Sequence, residues 1–276
     1  MTRRFSGRAS PPVSAASAEP AATLLLLRPA ARGPEVLMVR RSERMAFAPG
    51  ALVFPGGKLD RTDSNVARWR SLVSKGDRGR DLPWRIAALR ELYEETGLVH
   101  ADGRWPAARH ASAPLDRFLR CHGGRLDSDS LVLFAHWITP DDLPRRFDTR
   151  FYLAALKPGE RARHDAGETT AAVWLSPQRL LAGMVGDLMP PTRLTLTRLA
   201  RFGSVGAALR HARRHPPMPI KPVAGSSNGR RVLFLPPGNE HGITALPFPG
   251  AGSGTPAKGI GSSPGGTGPD GVTEST

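Results

Sequence analysis

The sequence predicts an α+β sandwich. Strand-like apolar runs alternate with a few helical stretches, and neither a strict strand-helix-strand repeat nor an internal repeat orders them. The chain between about 21 and 248 carries the folding pattern, and both ends have little to bury.

The elements follow in order. Residues 23–27 and 35–40 are Leu- and Val-rich runs separated by a Pro- and Gly-containing turn over 29–34, and they read as a hairpin. Residues 51–54 form a short strand that stops at Pro55-Gly56-Gly57. Residues 81–98 read as a helix, because Ile86, Leu89, Leu92 and Tyr93 recur at three- and four-residue spacing and Gly97 closes the run. Strands are expected over 130–138, 147–156 and 171–175. Ser176-Pro177 then starts a helix with a capping hydroxyl and a proline in the first turn. Residues 193–215 read as helical and basic, interrupted by Gly203 and Gly206, and 230–235 as a last strand.

Composition narrows the class. No run approaches the roughly 18 apolar residues of a spanning helix, so no membrane partner is expected. The single cysteine, Cys121, excludes an internal disulfide framework and receives no catalytic role. Residues 1–20 are polar and rich in Ala, Ser and Pro, and read as disordered. Leu24 to Leu27, closed by Arg28, is too short for a secretion signal. An Arg- and Ser-rich, acid-poor start also resembles an organelle transit peptide, but a soluble cytoplasmic protein is the expectation. Residues 249–276 hold nine Gly and four Pro and read as a flexible tail. Net charge is +15 from 39 Lys and Arg against 24 Asp and Glu. Coding bias toward Arg, Ala, Gly and Pro explains it as well as attraction of an anionic substrate does. The spread of Arg over the whole chain weakens a nucleic-acid role.

Chemistry concentrates in Arg90-Glu91-Leu92-Tyr93-Glu94-Glu95-Thr96-Gly97-Leu98. On a helix, Glu91 shares a face with Glu94 and Glu95, and close carboxylates repel. A hard divalent cation offsets that repulsion, since Mg²⁺ and Mn²⁺ prefer carboxylate oxygens. Arg90 stands one turn before Glu94. Upstream, Phe54-Pro55-Gly56-Gly57-Lys58 is a Gly-rich loop whose backbone can approach a ligand closely. Together the two suit metal-bridged phosphate chemistry.

Residues 57–98 resemble the Nudix box, G-x5-E-x7-R-E-U-x-E-E-x-G-U with U aliphatic. The second half matches at Arg90, Glu91, Leu92, Glu94, Glu95, Gly97 and Leu98. The first half is stretched by 19 extra residues, placed at about 62–80, because Gly57 and Arg90 stand 33 apart where the family has 14. Counted back from Arg90, the family's first Glu falls on Leu82; Asp81, Asp60 and Asp63 are the substitutes left open. Arg41-Ser42-Glu43-Arg44-Met45, Phe47-Ala48-Pro49-Gly50 and 54–57 resemble the signature upstream of the box in Nudix coenzyme A diphosphatases, with Ala46 in place of one arginine. Trp137-Ile138-Thr139-Pro140 and Arg146-Phe147-Asp148-Thr149-Arg150-Phe151 are similar to segments of the subgroup related to peroxisomal acyl-coenzyme A diphosphatases.

The resemblance implies a mixed-sheet α/β/α sandwich over about 21–218, with a helical extension at 190–215 and a C-terminal segment, 219–248, packed on it. It implies Mg²⁺- or Mn²⁺-dependent cleavage of a pyrophosphate bond, first of coenzyme A or acyl-coenzyme A. Glu94, Glu95 and the Gly56 carbonyl would hold metal, and Glu91 would complete the shell or take the proton. Arg90 would orient Glu91 or Glu94. Gly57, Lys58, Arg41 and Arg44 would meet substrate, with Arg40 nearby. Glu168 is the candidate base or further ligand outside the box, ahead of His164 and Asp165. ADP-ribose, NADH or another nucleotide conjugate is the rival substrate. A non-catalytic nucleotide- or RNA-binding module and a cap hydrolase are the rivals of other classes. Oligomeric state is left open, with a homodimer as one option.

Overall fold

A computed structural model describes residues 17–41, 50–74, 79, 81–101, 113–156, 169–182 and 188–247. Its centre is strand β1 (Glu19–Ala30), where Leu24 to Leu27 are all fully buried because both faces of the strand are covered. That explains an unbroken leucine run in place of alternation. β1 turns at Gly33, whose φ of 107° suits only glycine, into β2 (Gly33–Arg41). The two pair antiparallel as the predicted hairpin.

Five further strands complete a mixed sheet: β3 (Leu52–Val53), β4 (Gly56–Lys58), β5 (Val132–Ile138), β6 (Phe147–Ala155) and β7 (Thr169–Leu175). The main order is β3-β2-β1-β6-β5, with β4 on β1 and β7 on β2. β1 and β6 run parallel over nine residue pairs, and the other pairings are antiparallel.

Side chains alternate between two cores. Ala22, Leu24, Leu26 and Tyr152 face the helix that carries the acids, α2 (Leu82–Thr96). Leu25, Leu27, Phe151 and Leu153 face the opposite layer, built by α4 (Pro177–Leu181), α5 (Pro190–Leu199) and α6 (Val205–Arg214). This is the α/β/α arrangement. α2 buries Ile86, Leu89, Leu92 and Tyr93, the residues whose period predicted it. Gly97, at φ 69°, ends it with an N–H donated to the Tyr93 carbonyl.

The inserted stretch is folded where it is described. A single turn, α1 (Val66–Trp69), starts at Asn65, whose side chain accepts the Arg68 N–H. Trp69 is 2% exposed and donates its indole N–H to the Thr62 carbonyl at 2.8 Å. Leu126 exchanges backbone bonds with Leu72 and Ser74, and Arg68 pairs with Asp116 on α3 (Leu115–His122).

Beyond α6 lies a separate three-stranded sheet, β8 (Val223–Ser227), β9 (Arg230–Phe234) and β10 (Ala245–Pro247), with β9 central. Ile220 exchanges backbone bonds with His136 and Ile138 on β5. Arg198, 5% exposed, donates to the Phe134 carbonyl and pairs with Glu240 at 2.7 Å. The His241 ring stacks on Trp137.

Candidate active site

The site forms where α2 crosses β4. Gly57 sits in β4 opposite Ala22. A Cβ on Gly57 would lie 2.5 Å from the Glu91 carboxylate, so only glycine leaves room for that acid against the strand. Gly56 is equally crowded, with the Ala22 carbonyl and the Thr23 hydroxyl each 2.6 Å from where its Cβ would be.

Arg90 organises the acids. Its Nε donates to Asp63 Oδ1 at 3.0 Å, and one terminal nitrogen donates to Asp63 Oδ2 and to the Lys58 carbonyl, both at 2.9 Å. The other terminal nitrogen donates to Glu91 at 2.8 Å and Glu94 at 2.9 Å. These contacts use all five N–H donors of a guanidinium. Asp63 is fully buried and also accepts the Asp60 N–H. Burial disfavours the Arg90 charge, but the Asp63 hydrogen bond and the charges of Glu91, Asp63 and Glu94 outweigh it and raise its pKa. Burial raises the Glu91 pKa despite the opposing pull of Arg90. Glu91 and Arg90 side chains are 16% and 14% exposed, whereas Glu94 is 45% exposed.

The donor set suits a hard divalent cation. Asp63, Glu91 and Glu94 crowd one guanidinium, and Glu95 adds a fourth acid one residue on. A dication would offset the excess negative charge and favour ionised Glu91. Among the described residues, no three acid, His or Cys side chains converge into a preformed cage. The acids Glu91, Glu94 and Glu95 are presented instead as a row along α2.

The NUDIX domain family matches residues 18–194. The chain belongs to the Nudix family. Putative nudix hydrolase 7 of Caenorhabditis elegans is 31% identical over 181 residues, covering 60% of this chain and 56% of that protein. Human acyl-coenzyme A diphosphatase NUDT19 is 27% identical over 282 residues, covering 77% of this chain and 73% of that protein. The chain thus spans little more than half the length of the worm relative. The crystal structure of a NUDIX hydrolase from Alicyclobacillus acidocaldarius superimposes with a TM-score of 0.60 at 29% identity, covering 70% of this chain and 96% of that one. Nudix hydrolases use divalent metals and small nucleotide substrates, and the relatives support a pyrophosphatase. No helix among the described residues is long and apolar enough to cross a membrane.

The Nudix box can now be placed residue by residue. Of the substitutes left open for its first Glu, the structure brings Asp63 to Arg90. Counting forward from Gly57 finds the same residue, since Asp63 stands six positions on, as G-x5-E requires. The extra residues therefore begin after Asp63, not at Thr62. Leu82 is 4% exposed in the core. Asp81 precedes α2 and accepts from Arg85 at 3.0 Å and from the Tyr152 hydroxyl at 3.3 Å, away from the box acids. Asp60 accepts the Thr62 N–H within its own turn.

Lys58 lies on the other face of β4. Its ammonium pairs with Glu19 and lies over the Phe147 ring, while its carbonyl reaches Arg90. A strand alternates its side chains, so Lys58 points away from the face that Gly57 offers to Glu91. Arg40 donates to the Gly50 carbonyl and so braces the loop end. Arg41 ends β2, where its N–H donates to Ala51, and pairs in register with Thr169. Arg44, Glu168, His164 and Asp165 lie outside the described residues.

Proposed function

We propose that this chain hydrolyses the pyrophosphate bond of coenzyme A or acyl-coenzyme A, releasing a phosphopantetheine product and adenosine 3′,5′-bisphosphate. The observation that carries catalysis is the assembly of Asp63, Glu91 and Glu94 on Arg90, across the inserted segment. The substrate is supported by the signature at 41–57 and by the name of the human relative.

Glu91, Glu94 and Glu95, with the Gly56 carbonyl, would hold Mg²⁺ or Mn²⁺. Bound there, the ion supplies charge neutralisation on the diphosphate and an activated water. Arg90 keeps Glu91 and Glu94 on one side of α2 by charge-assisted hydrogen bonds. Gly57 lets the Glu91 carboxylate lie against β4. Arg41 and Arg44 would meet substrate phosphates. Glu168, whose next residue Thr169 pairs with Arg41, would accept the proton of the attacking water. Water adds to one phosphorus, the bridging P–O bond breaks, and two phosphomonoesters leave.

Ala46, which replaces a signature arginine, keeps ADP-ribose, NADH or another nucleotide conjugate as the second reading. Turnover of coenzyme A, acetyl-coenzyme A, ADP-ribose, NADH and capped RNA with Mg²⁺ or Mn²⁺ separates them. Cleavage of the coenzyme A compounds, lost in Glu94→Gln and Glu95→Gln, is expected. Preference for ADP-ribose or NADH would replace the substrate and keep the chemistry. A folded protein that cleaves nothing would return the reading to a binding module.

A further inference from the structure

Four strands place one residue each in a transverse row beneath α2. Gly57 on β4 pairs with Ala22 on β1, Ala22 with Arg150 on β6, and Arg150 with His136 on β5. Directly paired residues share a face of the sheet. Gly57 and Ala22 fix which face, since the first meets Glu91 and the second packs in the α2 core. Arg150 and His136 therefore stand on the side that carries the box acids. Arg150 also belongs to the stretch 146–151 that resembles the acyl-coenzyme A subgroup, and the chemistry above gives it no part.

α2 meets this row at two points. Glu91 lies against Gly57, and the Arg150 guanidinium carbon sits 3.7 Å from the centroid of the Trp84 ring. Trp84 and Glu91 are seven residues apart. That is two turns along one side of the helix, a rise of about 10.5 Å. Gly57 and Arg150 are two strands apart, about 9.6 Å. The two spans agree to about 1 Å, so the helix crosses the strands with one contact near each end of its span. Ala87 and Ala88, fully buried in the core with Ala22, let it approach the sheet between them.

Trp84 is held by its ring face. Its indole N–H has no hydrogen-bond partner among the described residues. The Arg150 guanidinium also approaches the Tyr152 hydroxyl, which donates to Asp81 at 3.3 Å. Asp81, at the N-terminus of α2, makes no capping bond and accepts instead from Arg85 at 3.0 Å. The first turn of α2 is thus tied to β6 twice, through Trp84 and through Asp81. A second phosphate does not suit Arg150. Asp81 reaches the same hydroxyl, and Asp148, two residues before Arg150 on the same face, pairs with His136. Acids on both sides would repel a further anion, so the guanidinium serves the helix.

We propose that Arg150 is a positioning residue for the metal centre: by gripping Trp84 it sets the rotation of α2, and so where the Glu91 carboxylate stands on β4. The inference rests on the reading of Glu91 as a metal ligand in a hydrolase. The lever is short. At a radius of about 6 Å, a turn of about 10° moves that carboxylate by about 1 Å. Gly57 leaves no slack on the strand side. A misplacement of about 1 Å can cost on the order of 100-fold in rate.

The test reads Arg150→Gln and Trp84→Leu in two ways. Mn²⁺ binding without substrate is followed by the paramagnetic resonance of the free ion, and kcat and KM are measured at saturating Mn²⁺ on the nucleotide that the wild type cleaves. Both variants should bind Mn²⁺ about tenfold or more weakly and lose about 10- to 100-fold in kcat. KM should stay within about twofold, since no substrate contact is removed. Trp84→Phe keeps an aromatic face for the guanidinium and should recover most of both. The double variant should lose little more than either single one, because both remove the same contact. Should Arg150→Gln fail to fold, Trp84→Leu against Trp84→Phe reads that contact from the helix side. Wild-type Mn²⁺ binding and kcat in a folded variant would overturn the proposal, whatever the melting temperature did. A raised KM with kcat and Mn²⁺ binding intact would overturn it too and make Arg150 a substrate contact. If the wild type bound Mn²⁺ but cleaved no nucleotide, the proposed reaction would fall and the Mn²⁺ arm would decide this inference alone. A wild type that bound no Mn²⁺ would end both.

Discussion

Removing the Asp63 carboxylate is the sharpest test of how this box is assembled. Asp63 is fully buried and meets Arg90 through two hydrogen-bonded oxygens, while the Arg90 side chain is 14% exposed. Breaking a buried ion pair from one side costs about 3–5 kcal/mol, because the surviving charge stays desolvated. Arg90 keeps Glu91 and Glu94, so Asp63→Ala should lie near the lower end, at about 3 kcal/mol. With a urea slope of about 2–3 kcal/mol per molar, the unfolding midpoint should fall by roughly 1–1.5 M. Asp63→Asn keeps the shape and loses the charge, and should cost about 1.5–3 kcal/mol. Asp63→Glu restores the family's residue type but adds a methylene to a site with no exposed surface, at about 1–3 kcal/mol. Metal-dependent turnover of the Asn variant should fall by about 10- to 100-fold, as for partners that orient ligands. A midpoint unchanged in Asp63→Ala, together with wild-type kcat, would refute the idea that this link fixes the acidic helix.

Further outcomes follow from the same geometry. Gly57→Ala places a Cβ on the Glu91 carboxylate, so turnover should drop at least about tenfold while circular dichroism stays native. Trp69→Ala should cost about 3–5 kcal/mol in urea unfolding, because Trp69 anchors the inserted segment in the core. Burial first, then the charges of Arg198 and Arg201, hold the His241 pKa down to about 4 from 6.5. The unfolded chain therefore binds the proton more readily. Stability is full above about pH 6.5 and is lost as the pH falls toward 4, by at most about 3 kcal/mol. Thermal melts across that range should show a slope that His241→Gln reduces.

The sheet and the acidic helix were legible because their burial is strong and periodic. Leu24 to Leu27 declare a strand covered on both faces, and Ile86, Leu89 and Leu92 declare one buried helix face. Less was legible where structure depends on partners. α3 rests on Leu115 and Leu119, one turn apart, which is too little period to stand out. β8, with Ala, Gly and two Ser in five residues, has weak strand preference and exists through its pairing with β9. At the site, Arg90 to Gly97 carries its own spacing, so those residues could be named. Counted back from Arg90, the first acid falls on Leu82 and leaves Asp60, Asp63 and Asp81 open; counted forward from Gly57 it falls on Asp63, whose contact with Arg90 spans twenty-six intervening residues. The direction of the Lys58 side chain is set by which face of β4 Gly57 offers to α2, a choice that no spacing in the sequence states.

The stretched box also bears on how such a motif tolerates growth. In a flexible chain, the entropy of closing a loop rises only with the logarithm of its length. Lengthening the span between the first acid and the arginine from seven residues to twenty-six costs about 1.2 kcal/mol on that scale. Leaving Arg90 without its Asp63 partner costs more than this, at about 3 kcal/mol, and Trp69 recovers part of the ordering cost by packing in the core. The closing contact behaves as a staple whose strength does not depend on how much chain it spans. Inserts of varied length could therefore be exchanged between Asp63 and α2 without moving an acid, so long as each carries an apolar anchor of its own.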